Sequence, residues 1–258
     1  MRWDPQQYSQ FGDERARPFF ELVARIDCAA PADVVDLGCG PGPLTATLLQ
    51  RWPAARVVGV DSSADMIERA AAYAVDGRLA FVQGDAATWT PRGAVDVVVA
   101  NALLQWVPGH LQLLERVSSW LRPGGVVAFQ VPDNFDEPSH TLLRDLRATD
   151  RWRAQLGAGA DRSAGVERPA TYLDALVRLG LHADVWQTSY LHVLQGEDAV
   201  LEWVKGTALR PVLSALDGDD RAEFVDQYAR ALRTAYPAQP WGTVFPFRRT
   251  FAVATAPR

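Results

Sequence analysis

A doubly wound α/β fold, with a mostly parallel seven-stranded sheet and a helical cap built from insertions, is what these 258 residues predict. Three observations carry it: short apolar runs recur through the first half of the chain, helical patterns separate them, and a Gly-rich turn follows the first run directly. The runs at 34–37, 57–60, 79–82, 95–101 and 126–131 are nearly continuous in Val, Leu, Ala and Phe. Parallel strands covered by helices on both faces have that composition, whereas half-exposed strands alternate. Helical spacing fills the gaps at Leu44–Arg51, Ala64–Tyr73 and His110–Leu121, and the last segment stops at Arg122-Pro123-Gly124-Gly125. Alternation of this kind implies right-handed crossovers and a ligand site at the carboxyl ends of the strands.

After Val131 the rhythm changes. A helix is expected over 139–155, a loop over 157–165 (GAGADRSAG), a helix over Tyr172–Leu179 and a strand over 183–193. Helices at 197–216 and 219–235 and a final strand at 247–255 complete the plan, the last two strands forming an antiparallel pair. The expected domain is single, with a core of 31–132, 169–195 and 244–258 and a cap of 1–30, 133–168 and 196–243 above the strand ends. The loop at 157–165 is expected to be a lid that orders on binding.

Composition narrows the function. Hydrophobic residues make up 48% of the chain, enough for a substantial core, and the net charge of −5 argues against nucleic acid, which needs clustered Lys and Arg. The two cysteines, Cys28 and Cys39, suit reduced, buried thiols better than a disulfide. The amino terminus lacks an apolar signal core, and no apolar span of membrane length occurs. A cytoplasmic monomer acting on a small molecule, with no membrane partner, is expected.

The chemistry concentrates in VVDLGCGPGPLT, residues 34–45. Gly38, Gly40 and Gly42 remove Cβ atoms where a strand turns into a helix, so a ligand can lie against bare backbone. A tight turn with no ligand would use the same glycines. The second run ends at Asp61, where a carboxylate meets a ribose in βαβ nucleotide folds, and the third ends in Gly84-Asp85-Ala86. This Gly-x-Gly-x-Gly spacing with acids at two successive strand ends resembles the S-adenosylmethionine (AdoMet) site of class I methyltransferases. It fits the nicotinamide fingerprint poorly, because Pro43 stands where the third glycine would be.

On that resemblance, Gly38, Gly40 and Gly42 pass the methionine part and Asp36 faces the amino group. Asp61 accepts from the ribose hydroxyls, with Ser62 beside it. Asp85 accepts from the adenine amine and the Ala86 amide reaches a ring nitrogen. Met66 packs on the adenine, while Asn101 and Trp106 close the acceptor side. Met66 as plain core, Asp61 as a helix cap and Asp85 as an exposed turn residue are the alternatives.

Beyond the motif, the chain resembles the trans-aconitate 2-methyltransferases from end to end. WDPQQYSQFGDERARPF (3–19), ANALLQWVPGH (100–110), EWVKGTALRPVL (202–213) and AYPAQPWGTVFPFRRTFAVA (235–254) are more distinctive than the Gly-rich turn. The resemblance implies esterification of one carboxylate of trans-aconitate with AdoMet as cofactor. Another small carboxylic acid or a natural-product hydroxyl as acceptor, and AdoMet binding without catalysis, are the alternatives. A carboxylate is already ionised at neutral pH, so no general base and no catalytic residue in that sense is expected. Of the four histidines, only His110 is a plausible visitor to the site. A small polycarboxylate in an acidic chain requires a local basic cluster. Candidates are Arg15, Lys205, Arg210 and Arg248, with Tyr8, Trp106, Trp203 and Tyr236 as walls. Arg248 and Arg249 are adjacent on a strand, so only one of them is expected to face the site. The acidic run Asp217-Gly218-Asp219-Asp220 reads as a helix start, and no metal is expected.

Overall fold

The computed structural model describes residues 12–157 and 165–258. Helix α1 (Gly12–Ala24) leads into β1 (Asp33–Leu37), α2 (Pro43–Arg51), β2 (Arg56–Asp61), α3 (Ala64–Ala70) and β3 (Leu79–Gln83). Then come β4 (Val95–Asn101), α4 (His110–Trp120), β5 (Leu121–Pro132), α5 (Pro138–Ala148), α6 (Asp150–Leu156) and α7 (Pro169–Arg178). The chain finishes with β6 (His182–Leu194), α8 (Ala199–Lys205), α9 (Arg210–Ala215), α10 (Gly218–Ala235) and β7 (Thr243–Thr255). All seven strands lie in one sheet of order β3-β2-β1-β4-β5-β7-β6. The first five strands pair in parallel, and β7 runs antiparallel to β5.

Two compact units emerge. A sheet unit comprises Arg15–Pro132, Gly165–Thr188 and Arg249–Arg258, and a helical unit takes in residues 12–14, 133–157 and 189–248 of those described. The sheet unit packs Val35, Leu37, Val98, Val127 and Phe129 against Leu113, Val117 and Tyr172. The helical unit has its own core, with Trp152, Trp203, Phe224, Tyr228 and Phe245 at its centre.

The expected assignment of residues 1–30 to the cap differs from this division from Arg15 onward. Phe19, Leu22 and Ile26 are buried, and the Trp52 indole donates to the Cys28 carbonyl at 2.8 Å, tying the segment after α1 to the sheet unit. Residues 1–11 of the expected flap, and 158–164 of the expected lid, lie outside the described residues.

Two expected helices are each split. Thr149 has extended backbone, closing α5 and opening α6, so 139–155 forms two helices. Between α8 and α9 the chain turns at 206–209, where the Val204 carbonyl accepts from both Thr207 and Leu209. Pro211 then occupies the first turn of α9, where its missing N–H costs nothing. Both cysteines are free; Cys39 is buried as expected, whereas Cys28 is only half-buried.

Candidate active site

Strand β1 delivers the Gly-rich turn beside the end of β2. The Gly38 and Cys39 amides both donate to the Val60 carbonyl, at 2.7 and 3.0 Å. Gly38 has φ +73°, and a Cβ there would come within 2.9 Å of Leu103. At Gly40, with φ +55°, a Cβ would meet nothing within 4 Å, which leaves bare backbone facing open space.

Asp61 holds this turn in place. One carboxylate oxygen accepts from the Gly40 amide and the other from the Ser63 amide, each at 2.9 Å. Each oxygen retains a further lone pair for a ligand hydroxyl. Ser63 caps α3 by accepting from the Met66 amide at 3.4 Å, so Asp61 does not serve as that cap.

Asp36 is the most perturbed acid of the group. It is 2% exposed, and the Thr45 hydroxyl donates to its Oδ2 at 2.6 Å. Its Oδ1 is buried with no hydrogen-bond partner among the described residues. Burial pushes its pKa up to about 7 against the lowering effect of Thr45, and the nearby Asp61 charge adds to the rise.

After β3 the chain makes a compact turn. Asp85 accepts from the Ala87 amide at 2.8 Å through its side chain, and from the Trp89 amide at 2.7 Å through its carbonyl. Arg116, on α4, holds this turn from outside. Its guanidinium donates to the carbonyls of Ala86 at 3.5 Å, Ala87, and Trp89 at 2.9 Å, and lies over the Trp120 ring at 5.7 Å. Sequence reasoning missed Arg116, because its carbonyl partners lie 27 to 30 positions away and no periodicity marks them.

A cavity of about 220 Å³ brings Gly38, Asp61, Ser62, Asp85, Ala86 and Trp106 together. Met66 is half-buried in the first turn of α3 and does not line it. Asn101 ends β4, where its side-chain oxygen accepts from Gln130 at 2.7 Å. The orphaned Asp36 oxygen, the open space at Gly40 and the two strand-end acids make a donor and acceptor set that fits AdoMet.

The basic and aromatic candidates behave differently. Trp203 is 2% exposed, stacked on His192 at 5.0 Å and packed on Phe245 and Phe247, so core packing accounts for its position. The Tyr236 hydroxyl accepts from the Ser139 amide at 3.0 Å in the same core. Lys205 pairs with Glu202 one turn back on α8. Arg248 is surrounded by Asp133, Asp136 and Glu137, and its charge is already met. Arg210 starts α9, half-buried. Tyr8 lies outside the described residues, as does the side chain of Arg15.

His110 is 4% exposed and bonded to the Tyr172 hydroxyl at 3.0 Å, a packing role in place of the expected visit to the site. Burial lowers its pKa. A larger hollow of about 400 Å³ in the helical unit is walled by Tyr236, Trp241 and several prolines. Glu137 is its charged wall, the wrong sign for a polyanion. No cluster of potential metal ligands occurs among the described residues, and none of their helices is long and apolar enough to cross a membrane.

Sheet order, the Gly-rich turn and the acids at the ends of β2 and β3 define a class I AdoMet-dependent methyltransferase. The family profile described as "Methyltransferase domain" matches residues 34–125. The trans-aconitate 2-methyltransferase of Streptomyces avermitilis is 54% identical over 98% of this chain and 96% of its own length. The protein of that name from Streptomyces coelicolor is 52% identical, over 99% and 87%. Among solved structures, the YcgJ protein of Bacillus subtilis shares the fold with a TM-score of 0.62, at 14% identity, covering 94% of this chain and 99% of that one. The chain belongs to the trans-aconitate 2-methyltransferase family.

Proposed function

We propose that this chain methylates a carboxylate of trans-aconitate, yielding the monomethyl ester and S-adenosylhomocysteine. The carrying observation is the convergence of Gly38, Asp61 and Asp85 on one cavity in a chain 54% identical to a relative of that name. In this reading Asp61 accepts from the ribose hydroxyls, and Asp85 and Ala86 meet the adenine. Asp36 faces the amino group, and the backbone from Gly38 to Gly42 passes the methionine portion. Ser62 and Trp106, which line the same cavity, frame these contacts.

AdoMet supplies the methyl carbon, whose bond to sulfur breaks as its bond to a carboxylate oxygen forms, with no proton to move. No residue is therefore needed as a base, and the protein's task is alignment and exclusion of water. Orientation of the reacting oxygen is worth up to several kcal/mol. A strong ion pair on the attacking carboxylate would blunt it, so cations belong on the two non-reacting groups.

Incubating the purified protein with AdoMet and trans-aconitate tests the reading, with the ester and S-adenosylhomocysteine measured by mass spectrometry. Both products should accumulate in equal amounts. Protein that binds AdoMet calorimetrically yet forms no ester would overturn the acceptor assignment.

A further inference from the structure

We propose that Arg249 is a substrate-binding residue, receiving a non-reacting carboxylate through a hydrogen-bonded row formed with Gln130 and Asn101. The inference rests on the carboxyl-methyltransferase reading above and deepens it. The adjacent Arg248 is satisfied by acids of the helical unit: Asp133, Asp136 and Glu137 all lie within 4.0 Å of its guanidinium. Successive strand residues face opposite ways, so Arg249 points elsewhere.

Arg249 pairs with Pro132, the last residue of β5, which puts it at the carboxyl edge of the parallel strands. Ligands of doubly wound sheets bind at that edge. Arg249 is 7% exposed, and its Nη1 donates to Gln130 Oε1 at 3.0 Å. Gln130 is fully buried, and its Nε2 donates to Asn101 Oδ1 at 2.7 Å. Asn101 and Gln130 are register partners, so the three side chains form a row across β7, β5 and β4.

Every link in the row donates in the same direction, from the guanidinium toward Asn101. Such a chain polarises cooperatively, leaving the Asn101 amide nitrogen as an enhanced donor. Two residues further on, Leu103 lines the cofactor cavity. The row therefore runs from a positive charge to a strand end two residues short of that cavity's wall, within the sheet unit alone. A guanidinium held in plane by an amide matches the two oxygens of a carboxylate, which an ammonium does not. Hydroxyl or amine acceptors would gain nothing from it.

The test uses Arg249→Lys and Gln130→Glu. The first keeps the charge and loses the planar fork; the second places a competing carboxylate on Arg249 while keeping a partner for it. Trans-aconitate binding to the S-adenosylhomocysteine-loaded protein is measured by calorimetry, with S-adenosylhomocysteine binding and thermal midpoint as controls, and KM and kcat for both substrates follow. Both variants should weaken trans-aconitate binding and raise its KM by about tenfold or more, with S-adenosylhomocysteine affinity changed by less than about twofold. They should also lose the wild-type preference for the triacid over diacids lacking one carboxylate. Equal weakening of both ligands, or trans-aconitate binding unchanged in both variants, overturns the inference alone. Wild-type protein that binds S-adenosylhomocysteine but no di- or tricarboxylate removes the underlying reading, and this inference with it.

Discussion

Replacing Asp36 by Asn should make the protein more stable at alkaline pH and a poorer receptor for AdoMet. Asp36 titrates near 7 in the folded chain because burial penalises its charged form, against a value of 3.8 for the ordinary carboxyl. The unfolded chain releases this proton at about pH 4, whereas the native chain keeps it to about pH 7. Between those limits the native state binds more protons, so stability falls as pH rises through the window and levels off above it. A gap of about three pKa units corresponds to roughly 4 kcal/mol, of which about 3 is lost between about pH 5 and about pH 8.5.

The amide introduced by Asp36→Asn would carry no charge, and the Thr45 hydroxyl would still have an oxygen to donate to. Urea unfolding of both proteins at about pH 5 and about pH 8.5 should show the variant gaining on the wild type by roughly 3 kcal/mol across that interval. AdoMet is cationic and should favour the ionised Asp36. Wild-type affinity should therefore rise with pH through about 7, with proton release detectable in buffers of different ionisation enthalpy, and the variant should show neither. A stability difference that is the same at both pH values would refute the argument that Asp36 is carried neutral.

Asp61→Ala should weaken AdoMet binding by about 2–3 kcal/mol, the scale of charged hydrogen bonds, and unchanged calorimetric affinity would exclude the ribose role. Arg116→Lys cannot hold three carbonyls at once, so KM for AdoMet should rise several-fold while KM for trans-aconitate stays put; equal shifts would mark a general loss of structure. Arg248→Gln leaves Asp133, Asp136 and Glu137 without their shared cation. It should cost about 1 kcal/mol in urea unfolding, discounted for solvent screening, with AdoMet affinity intact. A change confined to KM for the acid would return Arg248 to the substrate site.

Much of the sheet was legible because its signals are local. Each of the first five expected runs lies inside an observed strand, and the Gly-rich turn and the acids at Asp61 and Asp85 fall at strand ends. Helix interruptions were harder to see: Thr149 and the 206–209 turn break patterns that hydrophobic spacing alone carries through. Trp203 and Tyr236 illustrate a second limit, since an aromatic on a helix or just past its end looks the same in sequence whether it walls a pocket or fills a core.

Order along the chain was enough to determine the strand–turn–helix unit and the carboxylates beside it, since backbone sterics and spacing act over a few residues; the class of ligand followed from the resemblance of that pattern to known AdoMet sites. Tertiary structure alone decided which cations are already neutralised. Arg248 pairs with Asp136, 112 positions away, and Arg122 pairs with Asp33 across 89. Ion pairing depends on which groups the folded chain brings within a few ångströms, and no local pattern encodes that distance.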